Sequence, residues 1–89
     1  MPVVLVPTAY RGPTKGEAEI PVEGTTVLAC LEAVELRFPG FLSQILDADG
    51  AVHRFVKLFV NGDQIDASAL SMELGASDEL EVLAAIAGG

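Results

Sequence analysis

The sequence is poor in basic residues and in cysteine, and it contains no tryptophan. Five lysines and arginines stand against thirteen aspartates and glutamates, which gives a formal net charge of −8 over 89 residues. A chain this acidic lacks the electrostatic basis for binding nucleic acid or an anionic membrane surface. The single cysteine, Cys30, cannot form a disulfide within the chain, as is typical of proteins in a reducing cytoplasm. We therefore expect a cytoplasmic protein that binds neither nucleic acid nor membrane.

Long uncharged segments are also missing. The longest run without a charged residue is 1–10, much shorter than the ~18 apolar residues that a membrane span needs. That run has no basic flank either, so it does not resemble a secretory signal. With 89 residues, of which 51% are hydrophobic, the chain is long enough for one small folded domain and too apolar for a disordered one.

The first part of the chain predicts a hairpin. Residues 3–6 are apolar and end at Pro7, which predicts a short first strand buried on both faces. Residues 17–22 alternate glutamates with apolar residues, which predicts a second strand with one buried face. The glycine- and proline-containing segment 11–16 between them forms a loop.

A helix is predicted next, with a threonine cap supplied by residues 24–26. Apolar side chains recur at helical spacing and predict the buried stripe Val27, Leu31, Val34 and Phe38. The Pro-Gly pair at 39–40 ends this helix. Residues 41–46 predict one further helical turn, followed by a loop.

The last third predicts three more strands. Residues 53–60 alternate, and Asn61-Gly62 favours a tight type I′ hairpin turn with a return strand over 64–66. Residues 79–86 predict the final strand. The order β-β-α-β-β-β therefore predicts an α+β roll, a mixed sheet of four to five strands with one main helix across one face.

The end of the chain is its most distinctive feature. An apolar final strand runs almost to the terminus, so we expect it to lie inside the sheet and to fix the root of the tail. The domain would then cover 1–86. The tail 87–89, Ala-Gly-Gly, would extend ~10 Å beyond it at ~3.4 Å per residue. Glycines stabilise little, but they suit a segment that enters a narrow tunnel in a partner.

With this ending, the sequence resembles the ThiS/MoaD family of ubiquitin-like sulfur carriers, which have the β-grasp fold. The resemblance covers nearly the whole chain. Residues 52–61 and the ending 85–89 are most similar to the CysO type, which serves cysteine biosynthesis. Pro7-Thr8 and the length agree with that branch, whereas the long loop at 11–16 departs from the shortest thiamine-pathway members.

The resemblance implies a mechanism centred on Gly89. An E1-like adenylating enzyme of the MoeB/ThiF type would use ATP to adenylate the Gly89 carboxylate, and sulfide or a persulfide would displace AMP to leave a thiocarboxylate. A sulfur-accepting enzyme, such as a cysteine synthase with pyridoxal phosphate or a thiazole-synthase-like enzyme, would then take the sulfur. The chain would be a co-substrate rather than an enzyme, monomeric alone and without a bound cofactor. Consistently, the sequence contains no nucleophile–base pair, metal-ligand cluster or phosphate-binding glycine loop.

Three alternatives stay open. A protein modifier would use the same adenylate but join Gly89 to lysines of target proteins. A carrier for molybdopterin or thiamine synthesis would differ only in its acceptor enzyme. A β-grasp module that only binds a partner would keep its function without Gly88 and Gly89.

Six residues are predicted to contact partners. Ala87 and Gly88 would enter the tunnel of the activating enzyme. Phe55 and Phe59 alternate away from the core, and Leu83 has the same parity on the last strand, so they predict an apolar cluster on the sheet face that the helix leaves open. The resemblance implies docking through this face. A covering loop, or an exchange of the two faces, would remove the cluster.

Arg54, the sixth, breaks the inward parity of its strand and is placed at the strand's beginning. It could pair with an acidic residue of a partner, although a surface ion pair with Asp49 or Asp47 is the favoured interpretation. His53 has no second ligand near it in sequence, so no metal site is expected. Cys30 lies near the helical stripe, and a packing role is favoured for it over a chemical one.

Overall fold

The described part of the chain forms a five-stranded mixed sheet with two helices. The computed structural model describes residues 1–7 and 12–84. The strands and helices are, in chain order, β1 Val3–Leu5, β2 Glu19–Pro21, α1 Val27–Arg37, α2 Leu42–Ile45, β3 Val56–Val60, β4 Asp63–Ile65 and β5 Glu79–Ala84.

The last strand lies in the middle of the sheet. The strand order is β2-β1-β5-β3-β4, with β5 parallel to β1 and antiparallel to β3, while each hairpin pairs its own two strands antiparallel. The predicted inside position of the final strand is thereby confirmed. The two hairpins meet only through β5 within the described residues.

Both strands of the first hairpin are shorter than predicted. Backbone hydrogen bonds continue the pairing on both sides of β2, from Val6 N–H to Ala18 O at 2.7 Å and from Val22 N–H to Pro2 O at 2.9 Å. β1 is not buried on both faces as the apolar run predicts. Val4 is fully buried, whereas its neighbours are half-buried because only one face of the sheet meets the helix.

The main helix begins where the sequence predicts. The Thr26 side-chain hydroxyl accepts a hydrogen bond from the Ala29 N–H at 3.1 Å, satisfying one of the unpaired donors of the first turn. Val27, Leu31 and Val34 are fully buried, as the stripe predicts, whereas Phe38 lies at the C-cap after the helix and is only partly buried.

The connection from α1 to α2 is held by a glutamate. The two carboxylate oxygens of Glu35 accept hydrogen bonds from the Gly40 N–H at 3.2 Å and from the Leu42 N–H at 2.8 Å. Gly40 has a φ of 102°, a conformation that favours glycine, so the chain reverses directly after Pro39. The predicted extra helical turn is confirmed as α2.

The second hairpin has the predicted turn. Asn61 and Gly62 have φ values of 51° and 87°, as a type I′ turn requires. The return strand is β4, one residue earlier than predicted. The Asn61 amide also reaches the start of β5: it donates to Asp78 Oδ1 at 2.9 Å and accepts from the Glu79 N–H at 2.9 Å.

One hydrophobic core lies between the sheet and the helices. Its fully buried side chains come from both layers. The largest of them are Phe41, Ile20, Leu31, Ile45, Leu58 and Leu80. Within residues 1–7 and 12–84, no helix is long and apolar enough to cross a membrane.

Replacing the helix cap should measurably weaken the fold. Thr26→Ala removes the acceptor for the Ala29 N–H, and we expect a loss of about 1 kcal/mol in the free energy of unfolding. Urea denaturation followed by circular dichroism measures it. Thr25→Ala is the matched control, because the exposed Thr25 contributes its backbone carbonyl rather than its side chain to the fold. Equal losses in the two variants would contradict the capping role.

Acid should weaken the contact between the second hairpin and β5. Hydrogen bonds from the Asn61 side chain and the Gly75 N–H hold the pKa of Asp78 below its ordinary value of 3.8. Because folding lowers this pKa, the stabilisation is complete above the ordinary, unfolded-state pKa. It is lost as the pH falls through the lower, folded-state pKa. Urea midpoints measured from pH 6 downwards should therefore fall more for the native chain than for Asp78→Asn. Asp63→Asn, at an exposed acid in the same hairpin, should follow the native profile, and an Asp78→Asn profile parallel to the native one would contradict this account.

Candidate functional site: the uncovered sheet face and the root of the tail

The register of β5 fixes where the C-terminal segment leaves the sheet. Ala84 lies opposite Val56, the first residue of β3. The last described residue of β5 therefore lies at the end of the sheet where residues 53–55 precede β3. Residues 85–89 lie outside the described residues, so the roles of Ala87, Gly88 and Gly89 stay predictions.

One face of the sheet is turned away from both helices. In the pairing registers Leu5 lies opposite Glu19 and Glu81, Glu81 opposite Phe59, and Leu83 opposite Lys57, and side chains of paired residues share a face. Neither helix packs against this face in the described parts of the chain, because the buried side chains of both helices belong to the core on the other side. We call it the uncovered face, formed by Leu5, Glu19, Lys57, Phe59, Glu79, Glu81 and Leu83.

Phe59 and Leu83 lie on the uncovered face, where their parity predicts them. Leu83 is 37% exposed and Phe59 is half-buried between its neighbours on the adjacent strands. The predicted assignment of the two sheet faces is therefore correct, because the residues predicted to face the core do so. Their contact with a partner stays a prediction.

Phe55 is exposed, but it does not belong to a strand. Residues 53–56 form a turn closed by a hydrogen bond from the Val56 N–H to His53 O at 2.9 Å, so β3 begins at Val56 and the predicted strand start at His53 is wrong. The Phe55 ring is 45% exposed and stacks on the His53 imidazole, with centroids 5.2 Å apart and planes 7° apart. The stack holds an aromatic surface beside the root of the tail.

Arg54 is exposed in the same turn, and its favoured ion pair does not form. Neither Asp47 nor Asp49 lies within ion-pair distance of its guanidinium. Asp47 is engaged elsewhere: its Oδ1 accepts hydrogen bonds from the Asp49 N–H at 2.9 Å and from the Ala51 N–H at 3.1 Å. The carboxylate stabilises its own loop, and the interpretation of an Arg54–Asp47 or Arg54–Asp49 pair is wrong. The pairing of Arg54 with a partner stays a prediction.

Cys30 is fully buried in α1, as its packing role requires. Burial raises the pKa of its thiol, so the reactive thiolate is disfavoured. Among the described residues, no three His, Cys, Asp or Glu side chains are grouped closely enough to hold a metal ion.

Sequence reasoning missed the charged residues of the uncovered face. Lys57 lies opposite Leu83, and Glu81 lies opposite Phe59, so the apolar cluster is interrupted by both signs of charge. Strand alternation does place Lys57 on the side of Phe59, but it assigns Lys57 no neighbour on another strand. The residues that lie opposite Lys57 and Phe59 on β5 could not be identified without the register between β3 and β5.

Comparison with known proteins gives consistent matches. The family model described as the ThiS family matches residues 4–89. The sulfur carrier protein CysO of Mycobacterium tuberculosis is 30% identical over 89 residues, covering 97% of this chain and 96% of the relative. The CysO-containing crystal structure of the BexX/CysO complex of Amycolatopsis orientalis matches with a TM-score of 0.90 and 32% identity over the full length of both chains.

A solved structure with lower sequence identity shows similarity of the fold alone. The solution structure of small archaeal modifier protein 1 of Methanosarcina acetivorans has a TM-score of 0.81 at 23% identity and covers 99% of this chain and 95% of its own. Together with the matches above, it confirms the predicted β-grasp architecture, a mixed sheet with one main helix.

The uncovered face should tolerate substitutions that the core does not. Leu80 and Leu83 are on the same strand, but Leu80 is fully buried and Leu83 is 37% exposed. We expect Leu80→Ala to lower the free energy of unfolding by about 2–5 kcal/mol, and Leu83→Ala by less than about 1 kcal/mol. Chemical denaturation of the two variants tests the pair. A loss at Leu83 as large as that at Leu80 would mean that Leu83 has a structural role.

Proposed function

The chain belongs to the ThiS family, and on this basis we propose that it is a sulfur carrier whose C-terminal Gly89 is converted to a thiocarboxylate. The observation that supports the proposal most is the family match itself, since it extends through Gly89 and includes the Ala-Gly-Gly ending. The position of β5 adds support. A central strand gives the tail a fixed root, and a fixed root lets a partner direct the terminal carboxylate.

The chemistry begins with activation, because a carboxylate is a poor electrophile. An oxygen of the Gly89 carboxylate attacks the α-phosphorus of ATP in an E1-like enzyme of the MoeB/ThiF type, and pyrophosphate leaves. The sulfur of a sulfide then attacks the acyl carbon and AMP leaves, so one carboxylate oxygen is replaced by sulfur. The absence of a Cβ on Gly88 and Gly89 keeps the acyl carbon accessible. ATP is bound and used by the activating enzyme, not by this chain.

The thiocarboxylate is the product that matters for the next enzyme. It is ionised at neutral pH and nucleophilic, as thiolates are. We propose that it delivers sulfur to an acceptor of cysteine biosynthesis, because the similar proteins include CysO carriers at 30% and 32% identity over nearly the whole chain. The acceptor would be a cysteine synthase that uses pyridoxal phosphate, and hydrolysis would return Gly89. The chain is consumed and regenerated as a co-substrate and does not itself catalyse a reaction.

The described residues support a docking role for the uncovered face. Phe59 and Leu83 supply apolar surface on this face, Phe55 adds exposed aromatic surface in the turn before β3, and none of the three is fully buried. We propose that the activating enzyme contacts this surface while Ala87 and Gly88 occupy its tunnel. Arg54 would meet an acidic residue of the enzyme, since no described carboxylate is paired with it.

Intact-mass analysis tests the proposed chemistry. The chain expressed together with its activating enzyme and a sulfur source should show replacement of one oxygen by sulfur. Oxidation of Met1 or Met72 adds nearly the same mass, so a thiol-reactive label is applied to a Cys30→Ala variant and the labelled peptide is identified. Alanine fits the buried, apolar site of Cys30 better than a polar residue would.

The matched control is the same Cys30→Ala chain lacking Gly88 and Gly89. We expect label on the C-terminal peptide of the full chain and none on that of the shortened one. Absence of label from the full chain, with active enzyme present, would contradict the carrier proposal. Lysine-linked conjugates that survive denaturant and reductant would instead indicate a protein modifier.

A further inference from the structure

The uncovered face is electrically polarised along the strand direction. At the tail end are Lys57 on β3 and Arg54 in the preceding turn, and both are exposed. Toward the opposite end are Glu79 and Glu81 on β5, with Glu19 on β2 opposite Leu5. Leu83, the neighbour of Lys57, comes four positions after Glu79, which corresponds to ~14 Å along an antiparallel strand.

The three glutamates border a depression rather than a flat surface. A cavity of about 390 Å³ opens between β2, β1 and β5, and its lining also includes Leu5, Val6, Pro7, Ala18 and Val82. Apolar side chains and carboxylates therefore line it together. Among residues 1–7 and 12–84, no lysine or arginine lies within ion-pair distance of any of these carboxylates. A depression with this lining suits the long apolar stem and charged head of a lysine or arginine side chain.

Basic residues are few in this molecule. The sequence contains only five lysines and arginines, and two of them, Arg54 and Lys57, lie beside the root of the tail. Arg37, by contrast, is paired with Glu17 at 3.8 Å on the far side of the hairpin. In a chain with a net charge of −8, two exposed cations close together in sequence are a local exception to the overall charge.

We propose that this polarity sets the orientation in which the chain docks on its activating enzyme. The enzyme surface would present acidic residues at the mouth of its tunnel, facing Arg54 and Lys57. It would also present a lysine or arginine that enters the depression bordered by Glu19, Glu79 and Glu81. Complementary charges raise association rates and penalise wrong orientations, so a docking surface reversed end for end would place like charges together. This inference rests on the proposed function and identifies the chemistry of its first partner.

The experiment separates polarity from net charge. One variant inverts the face with Arg54→Glu, Lys57→Glu, Glu19→Lys and Glu79→Lys, which leaves the net charge at −8 because two reversals of each sign cancel. All four residues are exposed, so the core is untouched. Pyrophosphate release by the activating enzyme is measured with increasing carrier concentration, at low and at high salt. We expect kcat/KM to fall at least about tenfold, mainly through KM, and the deficit to shrink in high salt.

A second pair of variants checks the assignment of the acidic end. Glu19→Lys/Glu79→Lys changes the net charge by the same amount as Glu32→Lys/Glu73→Lys, whose residues are exposed away from the uncovered face. Only the first pair should raise KM. Thermal unfolding confirms that each variant is folded before its kinetics are compared.

Each result has a distinct meaning. An inverted variant with native kcat/KM overturns the proposal, because the net charge alone would then govern association. Equal effects of the two double variants overturn it as well. If the native chain itself releases no pyrophosphate with the activating enzyme, the proposed function fails, and that result is independent of the polarity.

Discussion

The pairing of β5 with both β1 and β3 is the interaction on which the structure depends. β5 is parallel to one hairpin and antiparallel to the other, and within the described residues the sheet is continuous only through it. Its inward residues Leu80 and Val82 are fully buried against the helix layer, while its outward residues contribute to the uncovered face. One strand therefore completes the core, forms part of the candidate docking surface and positions the tail.

This arrangement separates stability from recognition. Even-numbered residues of β3 and β5 belong to the core, and odd-numbered ones form the surface offered to a partner. Because the strand alternates, the surface can change its charges without changing the core. Solved structures with 20–32% identity to this chain share its fold.

Local rules were sufficient for much of this fold. Thr26 as the cap, Asn61-Gly62 as the turn and the buried stripe of α1 depend on neighbours a few residues away, and all three were predictable. The start of β3 was not, since the turn at 53–56 replaces strand pairing with a local hydrogen bond and an aromatic stack. The predicted ion pair of Arg54 does not form, and Asp47 Oδ1 instead accepts hydrogen bonds from the backbone N–H groups of Asp49 and Ala51. The polarity of the uncovered face required the register between distant strands, which no local pattern contains.

The central place of the last strand also bears on biosynthesis. Until Glu79–Ala84 has been made, the two hairpins have no strand to join them, and the apolar sides of both remain open to solvent. A chain interrupted before this strand cannot close its sheet, and exposed strand edges invite aggregation and proteolysis. Folding would then distinguish chains that contain this strand from chains that end before it. Only polypeptides synthesised through the strand that precedes the tail would survive in compact form, so a pool of folded molecules would contain few that were truncated upstream of their functional end.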